Sequence, residues 1–108
     1  MINAVFFTSD KSEIIGFEIS GHSGYADFGN DIVCSAVSSA CYMAANTLTE
    51  VVHAEAEINV NEKTGYMSLT VDDKYVAMSR DILTGLKMHL ILLEELYPEN
   101  IKVKYMEV

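Results

Sequence analysis

Two long stretches of helical apolar spacing, each preceded by a pair of short strand-like segments, constrain the fold of this chain more than any other feature. Val33, Val37, Ala40, Ala44, Leu48 and Val51 step by 4, 3, 4, 4 and 3 across residues 31–53, one buried stripe of a helix. Val76, Leu83, Leu86, Leu90, Leu93 and Tyr97 form a second stripe across residues 73–97, and Pro98 stops that helix. Ahead of the first helix, residues 2–8 are β-branched and aromatic, and residues 13–19 set Ile15, Phe17 and Ile19 on one face. The turn cluster Ser9-Asp10-Lys11-Ser12 joins these two segments as a hairpin. Ahead of the second helix, residues 55–62 and 66–72 alternate on either side of Lys63-Thr64-Gly65, a second hairpin. Residues 100–106 supply a last strand. The order β-β-α-β-β-α-β predicts an α+β fold, an antiparallel or mixed sheet with two long helices packed on it.

A length of 108 residues predicts one domain spanning 1–108. Hydrophobic residues are 50% and charged residues 21% of the chain, which excludes disorder as its main state. No apolar run approaches ~18 residues, so no transmembrane helix and no membrane partner are expected. Met1-Ile2-Asn3-Ala4 carries no basic segment of a secretion signal, and a cytoplasmic protein is expected. Asp and Glu number 16 against 7 Lys and Arg, a net charge of −9. From Lys11 to Lys63 there is no basic residue in between, while Glu13, Glu18, Asp27, Asp31, Glu50, Glu55, Glu57 and Glu62 fall there. Such a surface repels phosphate backbones and speaks against direct nucleic-acid binding. It attracts cationic ligands, although on composition alone solubility is the first explanation of the charge.

The chemistry sits in the glycine-bearing loop 20–30 and the start of the helix after it. His22 falls where the second strand ends, and Cys34 in the helix's first turn. A thiol there meets unpaired backbone N–H groups and the positive end of the macrodipole, which favours the nucleophilic thiolate. A histidine within reach can take the thiol proton and return it to a leaving group. Gly24 and Gly29 allow the loop to fold back and to move over a substrate. The neighbouring Asp27 and Asp31 oppose thiolate formation. Asp31 is suited either to cap the helix through the Cys34 N–H or to orient the His22 ring. Ser38, one turn beyond Cys34, is a candidate hydrogen-bond donor near the sulfur, with a solvated or back-bonded hydroxyl as the ordinary alternative. Taken singly, Cys34 reads as a small packed residue and His22 as a strand end. Cys41 lies two turns from Cys34, ~10 Å away, too far for a disulfide, and reads as packing. His53 reads as the end of the first helix, and His89 as a structural residue of the second. No spacing of His, Cys and Asp matches a zinc site.

The segment Gly21-His22, Tyr25-Ala26, Gly29, Asp31-Ile32-Val33-Cys34 and Ser35-Ala36-Val37-Ser38 resembles the ribosomal-processing cysteine proteases of the Prp family. Ser23 and Ser35 stand where many members carry alanine. The resemblance implies a cysteine endopeptidase that removes an N-terminal extension from the twenty-seventh protein of the large ribosomal subunit. It implies Cys34 as nucleophile, His22 as proton donor and acceptor, and supporting roles for Asp31 and Ser38. It also implies a basic ribosomal protein as substrate, a homodimer, and neither a metal nor an organic cofactor. The alternative is a non-enzymatic ribosome-assembly factor that binds a basic ribosomal tail, with Cys34 a buried residue. A thiol redox sensor is a third reading.

Overall fold

The computed structural model describes residues 1–22, 24 and 31–108. The elements follow the expected order: β1 (Ile2–Thr8), β2 (Ile14–Ser20), α1 (Ile32–Asn46), β3 (Ala56–Asn61), β4 (Tyr66–Val71), α2 (Val76–Leu96) and β5 (Ile101–Glu107). The strands form one mixed sheet in the order β3-β4-β2-β1-β5. β1–β2, β2–β4 and β3–β4 pair antiparallel, and β1–β5 pair parallel.

These directions place both helices on one face. β2 and β3 run the same way, as do β4 and β5, so α1 and α2 each cross between parallel strands. Such crossovers are right-handed almost without exception. α1 carries the chain toward one sheet edge with its strands pointing one way. α2 carries it toward the other edge with its strands reversed. The two reversals cancel, and the helices share a face.

The core confirms this. Phe6 pairs with Phe17, and Phe17 with Leu69, while Ala4, Ile19 and Met67 form the neighbouring row. These residues are buried in one cluster with Val33, Val37 and Leu48 of the first helical stretch and Leu83, Leu86, Leu90 and Leu93 of α2. Each fully buried Leu or Phe contributes ~2 kcal/mol relative to exposure. Val76 and Tyr97, at the ends of the second stripe, are half-buried against the same cluster.

Three local departures from the expected pattern have physical causes. In the first hairpin, Phe7 faces Gly16 but Thr8 faces Ile14, so Ile15 is an extra residue in β2. The bulge re-aims the strand, and Ile14 rather than Ile15 packs on the core. The second departure ends the first helix. Its α-helical part stops at Asn46 and a π-helical turn, Thr47–Val51, follows. The Thr47 hydroxyl donates to the Met43 carbonyl at 2.7 Å, and that of Thr49 to the Ala45 carbonyl at 3.1 Å. These bonds compete for the carbonyls of the last turn and widen it. The stripe loses phase, and Val51 is 72% exposed rather than buried. His53 then takes a left-handed φ of 61°, where helices commonly leave their axis. The third departure is at the start of the second helix, where a 3₁₀ turn, Asp73–Tyr75, precedes α2. His89 lies within α2 as read, with its side chain exposed.

Ile32–Val51, 20 residues at mean hydropathy 1.2, is long and apolar enough to cross a membrane by length and composition. That corrects the expectation drawn from apolar runs, which counts Ser, Thr and Asn as interruptions. The apolar stripe of this stretch packs on the sheet, and its two ends lead to β2 and β3 of that sheet.

Candidate active site

Asp31 begins the site by fixing the first turn of α1. Its Oδ1 accepts from the Val33 and Cys34 N–H groups, each at 3.0 Å, the geometry of an N-cap. The capping reading of Asp31 therefore holds. The residue is 7% exposed, so these two donors have little water to turn to if the carboxylate is removed. Asp31→Ala is expected to lower stability by ~1–2 kcal/mol, read as a fall in the urea midpoint at unchanged slope. A midpoint equal to wild type would show that the cap contributes nothing.

The same cap bears on the unpaired N–H groups expected around the Cys34 thiol at the helix start. Val33 and Cys34 donate to Asp31 Oδ1, and the Ser35 N–H donates to the Asp31 carbonyl at 3.1 Å. Those three donors are committed to the cap.

Cys34 is half-buried at the third helical position, and His22 is exposed just beyond the end of β2. Both line a cavity of about 480 Å³ between the start of α1, the end of β2 and the β3–β4 turn. Asp31 and Ser38 line it too, so all four residues expected at the site surround one space. Tyr42, Val60, Tyr66 and Met67 add apolar and aromatic wall. Nothing in the loop's own sequence signalled this wall. It follows from register: Ile19 pairs with Met67, which brings the second hairpin beside the end of β2. The readings of Ser23 and of residues 25–30, including Asp27 and Gly29, lie outside the described residues.

Cys41 also borders the cavity, but it is 1% exposed. Burial pushes its thiol up to about 12, so it stays protonated and unreactive near neutrality. This agrees with its reading as a packing residue. Among the described residues, no group of three or more His, Cys, Asp or Glu side chains is arranged to hold a metal ion.

The family described as cysteine protease Prp matches residues 1–102 of this chain. The ribosomal processing cysteine protease Prp of Bacillus subtilis (strain 168) is 26% identical over 107 residues, covering 95% of this chain and 96% of that protein. Its counterpart in Staphylococcus aureus (strain Mu50) is 25% identical over 105 residues, covering 97% and 99%. The crystal structure of the S. aureus protease with a covalently linked product peptide superposes with a TM-score of 0.91 at 24% identity, over 98% of this chain and 100% of that one. A Streptococcus mutans protein of solved structure superposes at 0.85 with 26% identity, over 100% of this chain and 96% of that one. A match over nearly the whole sequence, with the expected fold and with Cys34 and His22 on one cavity, leads to one conclusion: the chain belongs to the cysteine protease Prp family.

Proposed function

We propose that this protein is a cysteine endopeptidase that removes the N-terminal extension of a large-subunit ribosomal protein, the twenty-seventh, during ribosome assembly. The observation that carries the reading is the single cavity that His22, Asp31, Cys34 and Ser38 line together. The names of the B. subtilis and S. aureus relatives support it, as does a structure of the S. aureus protease with a substrate peptide.

The proposed reaction uses side chains alone and needs no cofactor. His22 takes the proton of the Cys34 thiol, and the sulfur attacks the scissile carbonyl carbon. A C–S bond forms and the carbonyl electrons move to oxygen. When the tetrahedral species collapses, the C–N bond breaks and the His22 imidazolium protonates the leaving amine. Water, deprotonated by His22, then attacks the thioester and releases the new carboxylate and the thiol. Asp31 holds the Cys34 backbone in place through its cap, and Ser38 offers a hydroxyl one helical turn away.

Incubation of wild-type protein with the ribosomal precursor is expected to shift the precursor's mass spectrum by loss of one N-terminal peptide. An unchanged precursor mass would sink the protease reading. Tight binding without a mass change would support the assembly-factor reading instead.

The protein is further proposed to work in the cytoplasm as a homodimer, with a basic ribosomal protein as substrate and no direct contact to nucleic acid. Met88, Leu92 and Leu96 recur every four residues along α2 and are all exposed, an apolar stripe available to a second copy. Sedimentation as a 12.0 kDa monomer at micromolar concentration would remove the dimer.

A further inference from the structure

The β3–β4 turn reaches the imidazole of His22 through a residue with no side chain. Gly65 has φ +69°, in the left-handed region that other L residues adopt only with strain. A Cβ built on it would lie 2.7 Å from the Gly21 carbonyl oxygen, 3.2 Å from His22 Cε1 and 3.4 Å from His22 Nδ1. The obstructing atoms all belong to one dipeptide, Gly21-His22, and that dipeptide lines the cavity with Cys34. The wall is held firmly. β4 begins at Tyr66, directly after Gly65, and is laddered to β2, while the Gly65 N–H donates to the Glu62 carbonyl at 3.4 Å.

We infer that Gly65 is a positioning residue for the His22 imidazole: its bare backbone fixes the ring's place in the cavity, and any side chain there displaces the Gly21-His22 backbone and the ring together. The inference rests on the proposed role of His22 as proton carrier. At 2.7 Å from a backbone oxygen, a methyl group cannot be absorbed by rotating a side chain. The Gly21 carbonyl must move, and it is the peptide group from which His22 hangs. Gly85 gives the contrast: a Cβ there meets nothing within 4 Å.

The test compares Gly65→Ala with Gly85→Ala. Gly65→Ala is expected to lower kcat on the order of 10- to 100-fold, the scale of a small misplacement of a reacting group, with KM little changed. It is also expected to shift the pH profile of Cys34 alkylation by iodoacetamide toward that of His22→Ala. Gly85→Ala should match wild type in both. In a His22→Ala background, Gly65→Ala should cause no further loss, because there is no ring left to displace. A folded Gly65→Ala protein with wild-type kcat and pH profile overturns the inference. So does a loss of the same size in the His22→Ala background. If Gly65→Ala does not fold, the wild-type protein decides: a nuclear Overhauser contact between Gly65 Hα and the His22 ring proton on Cε1 supports the inference, and its absence overturns it. A wild-type protein that shows this contact but cleaves no precursor would count against the proposed function and leave the positioning contact standing.

Discussion

Cys34→Ala is expected to abolish precursor cleavage, with a loss on the order of 10⁴-fold or more, while leaving the fold intact. The chemical loss is complete because no other thiol can take over. Cys41 is buried on the same helix, and its thiol is pushed up to about 12. At pH 8 the Cys41 thiol therefore stays protonated, and it is almost wholly covered by its neighbours. The fold survives because alanine keeps everything that position 34 gives to the helix. The Cys34 N–H that donates to Asp31 is backbone and stays. Only a half-buried sulfur is lost, and alanine is the best helix former. Binding of the precursor should therefore persist. Alkylation gives a second reading of the same variant. Iodoacetamide near pH 8 should add one label to wild type and none to Cys34→Ala, since Cys41 is protected in both. A folded Cys34→Ala protein that cuts at the wild-type rate would disprove the nucleophile assignment. Two labels on native wild type would disprove the protection of Cys41.

Why the site was partly legible in the sequence can be traced to distances along the chain. The element order needed only local information, because the 3.6-residue and two-residue periods are written into each segment separately. The Asp31 cap was legible for the same reason: it joins residues two and three apart. What failed were places where a single local event changed the phase of a pattern. The Ile15 bulge and the π-helical turn before Val52 each move one side chain across a boundary that periodicity treats as fixed. The threonines at 47 and 49 carried the second signal, since hydroxyls one turn ahead of a carbonyl loosen a helix end. The cavity's far wall was illegible for a different reason. Tyr66 and Val60 reach the site only because β4, not β3, pairs with β2, and the choice of neighbour is a property of the whole sheet. Gly65 belongs to the same class. As a turn glycine it has a complete local explanation, and its contact with His22 is visible only after the strands are assembled.

His22→Ala is expected to reduce kcat/KM by 10²- to 10⁴-fold, the usual contribution of a positioned acid–base group, and to leave stability close to wild type because the residue is exposed. Its signature should differ from that of Cys34→Ala. With the nucleophile gone, no buffer can restore cleavage. With the imidazole gone, the sulfur remains on the wall of a cavity of about 480 Å³, and free imidazole is small enough to enter it. Added imidazole should therefore restore part of the activity of His22→Ala and none of that of Cys34→Ala. The rescue should saturate, as expected of a molecule that fills a space rather than one that acts from bulk solvent. The contact with Gly65 sharpens this expectation. In His22→Ala the turn backbone at Gly65 still borders one side of the vacated volume and gives the added ring a surface to lie against. A His22→Ala protein with wild-type kcat/KM would remove the imidazole from the chemistry. The departing amine would then have to take its proton from another donor, since the Cys34 sulfur is bonded to the acyl carbon at that step and carries none.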